Sequence, residues 1–144
     1  MQAKVAVVIL NFNGKRHLET FLPSVVAFSK PYDIIVADNC SNDESISFLR
    51  TSYPTIEIIE NRANGGFAKG YNDALKHLEG RFEYYILLNS DVEVSENWIE
   101  PLLSSMEDRN IAACQPKIRS YTEKTKFEHA GAAGGFLDED YFPF

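Results

Sequence analysis

Hydrophobic and polar positions in this chain follow two alternating rhythms. Val5-Ala6-Val7-Val8-Ile9-Leu10 is short, continuous and rich in β-branched residues, the pattern of a strand buried on both faces. Asn11-Phe12-Asn13-Gly14 is turn chemistry. From about Lys15 to Phe28 the spacing becomes helical, with Leu18, Phe21, Leu22, Val25 and Val26 on one face. Pro23 inside that stretch predicts a kink or an early break. Asp33-Ile34-Ile35-Val36-Ala37 predicts a second strand, running into the polar loop Asp38 to Asp43. Ser41 or Asn42 is placed to cap the next helix, which carries Ile46 and Leu49 and ends near Tyr53-Pro54. Ile56 to Glu60 predicts a third strand, Asn61 to Gly66 a loop, and Phe67 to about Leu78 a helix. Tyr84-Tyr85-Ile86-Leu87-Leu88 predicts a fourth strand that ends in Asn89-Ser90-Asp91. Ser95 is placed to cap a helix through Trp98, Ile99, Leu102 and Leu103 to about Asp108, and Ile111-Ala112-Ala113-Cys114 predicts a fifth strand.

Strands alternating with helices predict an α/β, Rossmann-like, mostly parallel sheet flanked by helices on both faces. After Pro116 the character changes, so residues 1–118 read as the main domain and 119–144 as a Gly- and aromatic-rich extension. That extension ends in Tyr141-Phe142-Pro143-Phe144, an apolar cluster expected to meet further polypeptide. It also holds His129 and the run Asp138-Glu139-Asp140, which reads as solvated.

Composition narrows the class. A length of 144 residues, 44% hydrophobic, suits one domain with a real core. A net charge of −7 argues against a nucleic-acid binder, although a few local donors or one metal ion can still hold a phosphate. No apolar run approaches the roughly 18 residues of a membrane span, and the few residues before Val5 leave no room for a signal peptide. Cys40 and Cys114 have neither metal-like spacing nor enough company for a disulfide framework. Both read as structural residues in a reduced, cytoplasmic setting. His17 and His77 read as surface or edge residues of helices.

The polar residues collect where chemistry is expected. Open parallel sheets bind ligands outside the carboxyl ends of their strands, and four predicted strands end in or lead to Asn, Asp and Gly. Asp91 is placed to hold Mg2+ or Mn2+, hard cations that take oxygen ligands and share them with substrate phosphates. The competing reading is a helix cap or turn, and Glu93 beside it reads equally well as solvated. Asp38 is placed to accept from a base N–H or a ribose hydroxyl, against the alternative of an Asx-turn. Asn64-Gly65-Gly66-Phe67 combines close backbone approach with a helix N-terminus suited to a diphosphate. Lys69 would add positive charge there, and Asn72 would order the loop or touch the base, or equally stand as an exposed helix residue. The alternative for this loop is a tight turn and cap.

Taken in order, Val7 to Gly14, Ile34 to Asp43, Asn61 to Asn72 and Ile86 to Asp91 resemble family 2 glycosyltransferases of the GT-A fold, nearest their rhamnosyltransferase-like branch. The resemblance covers about residues 4–118 and implies a nucleotide-sugar-binding donor half. By that resemblance Leu10, Asn11, Phe12 and Asn13 line the nucleotide, Asp38 bonds the base, and Asn64 to Phe67 border the nucleotide and diphosphate. Asn89 and Asp91 match the family's DxD motif, with Asn in the first position and Asp91 as the metal ligand. The family's general base is expected downstream of Phe144, as is the site for a glycan or lipid-linked acceptor. Any membrane association, at the inner face, is expected only through that downstream region. The competing function classes are a nucleotide-binding or scaffolding module without turnover and a sugar-phosphate nucleotidyltransferase. The latter needs a Gly-rich, basic loop after strand one, where this chain has Asn11-Phe12-Asn13-Gly14.

Overall fold

The computed structural model describes residues 4–128. The chain divides into two compact units, Met1–Glu96 and Asn97–Phe144, so the compositional change at residue 118 falls inside the second.

The first unit is built in the order β1 (Val5–Asn11), α1 (Lys15–Phe28), β2 (Asp33–Asp38), α2 (Ser45–Ser52), β3 (Glu57–Glu60), α3 (Phe67–Leu78) and β4 (Tyr84–Asn89). The strands form one four-stranded sheet in the order β3-β2-β1-β4, and every pairing is parallel. β1 is an inner strand, paired with β2 on one side and β4 on the other, and its Val5 to Ile9 are all buried, which explains the unbroken apolar run. Ala6 and Val8 share one sheet face with Ile35, Ala37 and Ile59, packed under Tyr71, Ala74 and Leu78 of α3. The alternate positions Val5, Val7 and Ile9 are equally buried, as are Leu18, Leu22 and Val25 of α1 and Leu49 of α2. The α/β expectation therefore holds, with a parallel sheet flanked by helices.

Local departures have local causes. α1 runs unbroken through Pro23. Pro23 is exposed, so the carbonyl that it leaves unbonded can face water. Neither Ser41 nor Asn42 caps α2. Asp43, just ahead of the N-cap Glu44, instead ties α1 and α2 together, its Oδ1 accepting from the Ser45 N–H at 2.9 Å and its Oδ2 from the Lys15 N–H at 3.1 Å.

The second unit carries α4 (Glu100–Ser105). It starts later than Ser95 because Asn97 takes a left-handed φ of 55°, and Pro101 sits in its first turn. Ile111 to Cys114 do not form the expected fifth strand and are exposed. Only Ile111 in that stretch is β-branched, Ala has weak strand preference, and the Ile111 N–H is spent on a turn to the Asp108 carbonyl at 2.9 Å. Cys40 and Cys114 are both exposed free thiols rather than core residues. His129, Asp138 to Asp140 and the terminal aromatic cluster lie outside the described residues.

Candidate functional site

The chain builds β1, β2 and β3 to one side and then returns to place β4 on the other side of β1. The carboxyl ends of β1 and β4 therefore flank the point where the strand order reverses, and a crevice opens there in sheets of this kind. Leu10 sits beside Asn89 across that pairing. A cleft of about 350 Å³ lies at this edge, lined by Leu10, Phe12 and His17, by Asn39, Asn64, Gly66 and Phe67, and by Asn89, Ser90 and Asp91. Two larger hollows exist, of about 550 Å³ around Tyr32 and Arg81 and about 510 Å³ around Arg16 and Glu44. The first contains the amino end of β1, away from the strand ends where ligands bind; the second is walled mainly by charged side chains. The smaller cleft combines aromatic walls, amides and a carboxylate, the kind of lining small-molecule sites have.

Two phenylalanines stand open at the cleft, Phe12 at 48% exposure and Phe67 at 64%. Phe67 is braced edge-on against Tyr71, with ring centroids 5.0 Å apart. The Tyr71 hydroxyl donates to the Leu88 carbonyl at 2.9 Å and so ties α3 to β4. Asp91 is exposed and makes no hydrogen bond or ion pair among the described residues. Its charge is felt at Tyr71.

Asp38 behaves differently. It is only 2% exposed and lies beneath the cleft lining rather than on it. Its Oδ2 accepts from Asn11 Nδ2 at 2.9 Å and from Ser41 Oγ at 2.7 Å, and its Oδ1 from the Ser41 N–H at 2.8 Å. These bonds fasten the Asp38 carboxylate to the loop that follows β2 and to the end of β1. Asn11 is buried with it. Asn13, at a left-handed φ of 49°, accepts from the Asn42 N–H at 2.8 Å and so fastens the first loop to the second. Gly65 covers the stem of Lys69, where a Cβ would come within 2.5 Å of it. Lys69 does not line the cleft, because its ammonium pairs with Asp73 one turn along α3. Asn72 is exposed on the helix and also outside the lining.

Of the expected residues, the structure thus brings Leu10, Phe12, Asn64, Gly66, Phe67, Asn89 and Asp91 together. Asn11, Asn13, Asp38, Gly65, Lys69 and Asn72 are not part of that lining. Sequence reading missed His17, Asn39 and Ser90 on the lining and the buried Asn61 behind it. A usable signal existed for Asn39. It follows a strand directly, where the backbone still points at the sheet edge.

Comparison with known proteins agrees with this architecture. The chain is 29% identical over 135 residues to the uncharacterized glycosyltransferase YfnE of Bacillus subtilis (strain 168), covering 88% of this chain and 34% of that protein. It is 27% identical over 109 residues to an N-acetylglucosaminyl-diphospho-decaprenol L-rhamnosyltransferase of Mycobacterium tuberculosis (strain CDC 1551 / Oshkosh), covering 69% and 36%. The chain therefore spans about a third of the length of these relatives. Among solved structures it is similar to S. aureus TarS 1-349 in complex with UDP-GlcNAc, with TM-score 0.62, 22% identity and coverage of 74% of this chain and 32% of that one. It is also similar to the mannosyltransferase PcManGT from Pyrobaculum calidifontis in complex with GDP-Man and Mn2+, with TM-score 0.64, 18% identity and coverage of 82% and 34%. The sequence model of glycosyl transferase family 2 matches residues 6–142, nearly the whole chain, and the chain belongs to that family.

Proposed function

We propose that this chain is the donor-binding part of an inverting glycosyltransferase that moves a sugar from a nucleoside-diphosphate sugar to an acceptor hydroxyl. The observation that carries the reading is the cleft at the β1–β4 switch point, with open aromatic walls and an unpaired Asp91 on one rim. Phe12 and Phe67 offer apolar surface to a base, and the neutral amides of Asn39, Asn64 and Asn89 offer directional contacts. A mannosyltransferase of the same fold holds GDP-Man with Mn2+, and TarS holds UDP-GlcNAc.

Mg2+ or Mn2+ suits the residues present. The described residues contain no cluster of three or more His, Cys, Asp or Glu side chains able to hold a metal. A cation here would have Asp91 as its charged protein ligand, with the Asn89 amide oxygen beside it and diphosphate oxygens completing the shell, a mode that hard cations favour. When bound it would neutralise the diphosphate leaving group. The chain's own residues hold the nucleotide and exclude water from its apolar side. The acceptor's proton must go to a carboxylate base that we place downstream of Phe144, with the glycan or lipid-linked acceptor site.

Calorimetric titration with UDP, GDP and dTDP, each with Mn2+, tests the donor site. One of them is expected to bind, and Asp91→Ala to lose the Mn2+-dependent part of the affinity. Binding that is absent for all of them, or indifferent to Asp91→Ala, overturns the reading.

A further inference from the structure

Behind the cleft wall lies a chain of side-chain amides that runs in one direction. Asn61, which is 6% exposed, donates from Nδ2 to the Gly70 carbonyl at 3.1 Å and to Asn39 Oδ1 at 3.2 Å. Asn39, 3% exposed, donates in turn to Asn64 Oδ1 at 2.8 Å and to the Gly66 carbonyl at 3.3 Å. Asn64 Oδ1 also accepts from the Gly66 N–H at 2.9 Å. Each amide is thereby pinned by a main-chain group whose role cannot invert: Gly70 and Gly66 carbonyls only accept, and the Gly66 N–H only donates. The orientation of all three amides follows from these backbone bonds rather than from a choice between similar atoms. The Asn61 Oδ1 atom is left buried without a partner, a cost accepted where both of its N–H groups are committed to the relay.

We infer that this relay fixes Asn64 with its oxygen turned inward and its Nδ2 group presented to the cleft, making Asn64 a specificity-determining hydrogen-bond donor and Asn61 and Asn39 its positioning residues. The inference rests on the donor-site reading and deepens it. With Oδ1 doubly engaged, Asn64 selects a ligand that brings an oxygen acceptor to this wall, either a phosphate oxygen or a base carbonyl of the nucleoside diphosphate. Bonds aligned head to tail also polarise one another, so the terminal donor is strengthened from behind.

The test uses the full chain. Asn64 is exposed, so its variants are expected to fold. With UDP and Mn2+, Asn64→Ala is expected to bind roughly tenfold more weakly, and Asn64→Asp more weakly still, since it offers only acceptors. Inorganic pyrophosphate with Mn2+ distinguishes the sources: a matching loss assigns the bond to phosphate, and an unchanged affinity assigns it to the base. Equal UDP affinity in wild type and both Asn64 variants overturns the inference while leaving the donor site standing. Failure of wild type to bind UDP, GDP or dTDP fails the donor-site reading instead. The relay then answers to side-chain amide exchange in the free protein. The Asn39 and Asn61 NH2 protons are expected to be protected and those of Asn64 open, with Asn39 losing protection in Asn61→Ala. A merely structural Asn61 would change the melting temperature without changing the Asn39 exchange pattern or the UDP affinity, and that result overturns its positioning role, as does an Asn64 amide protected in the unliganded chain.

Discussion

Tyr71 shows how one side chain serves packing and the cleft wall at once. It is buried on α3, donates to the Leu88 carbonyl and braces Phe67. Burial pushes its hydroxyl up to about 12 from 10.0, against a backbone contribution from Leu10 and with the Asp91 charge adding to the rise. Above the ordinary value the unfolded state loses this proton while the folded state keeps it, so stability falls as pH rises through that window. Denaturant unfolding is expected to show wild type losing about 2 kcal/mol more than Tyr71→Phe between about pH 8 and about pH 11.5. At the lower pH the variant costs about 1 kcal/mol, the worth of the lost hydrogen bond. Equal pH slopes in the two proteins would refute this assignment. Residue roles were the least legible part of the sequence. Asp38 and Asp91 both follow strands and look alike on paper, yet three internal hydrogen bonds occupy Asp38 while Asp91 stays open. That difference depends on Ser41 and Asn11 meeting across the sheet, which spacing alone does not reveal.

At the scale of elements, β1 to β4 and the first three helices were legible because each has strong periodicity and fixed punctuation. The fifth strand was not, since a short apolar run pairs only when a neighbouring edge accepts it. Helix α3 is the element whose placement most controls the cleft, and two glycines set it. At Gly70 a Cβ would stand 2.9 Å from Leu10 Cδ1 and 3.1 Å from Asn39 Cγ. Gly70→Ala gains about 1 kcal/mol of helix propensity but meets an overpacking cost of about 1–3 kcal/mol. Asn39 is held at both ends of its amide, so the steric cost is expected to win. Thermal unfolding should show Gly70→Ala destabilised, with UDP affinity reduced as the relay shifts; a stabilised variant would mean that α3 moves freely. Gly66 presents the opposite case. A Cβ there meets nothing within 4 Å, but its φ of 83° is a conformation that other residues rarely adopt. Gly66→Ala is therefore expected to cost about 1–3 kcal/mol of backbone strain alone, measured by the same unfolding experiment.

At the scale of the molecule the question is how a chain of net charge −7 attracts a ligand that is itself an anion. The cleft gives little help, because its lining contains no Lys or Arg, and Lys69 is committed to Asp73. Asp91 at the rim adds repulsion. A site built on basic side chains would lose affinity as salt rises, since screening weakens attraction. Here, without a divalent cation, the long-range field opposes the diphosphate, and screening should relieve that opposition. Raising ionic strength from about 0.02 M to about 0.2 M shortens the screening length from roughly 20 Å to under 10 Å. In chelator, UDP is therefore expected to bind weakly and to tighten over that range, by about twofold. With Mn2+ present, the local charge is inverted at Asp91, so the affinity should be higher at every salt concentration and should fall as salt increases. Opposite signs of the two salt slopes are the signature of an acidic donor cleft that borrows its positive charge from a cation. Parallel negative slopes would show that basic groups, not Asp91 and its cation, carry the phosphate.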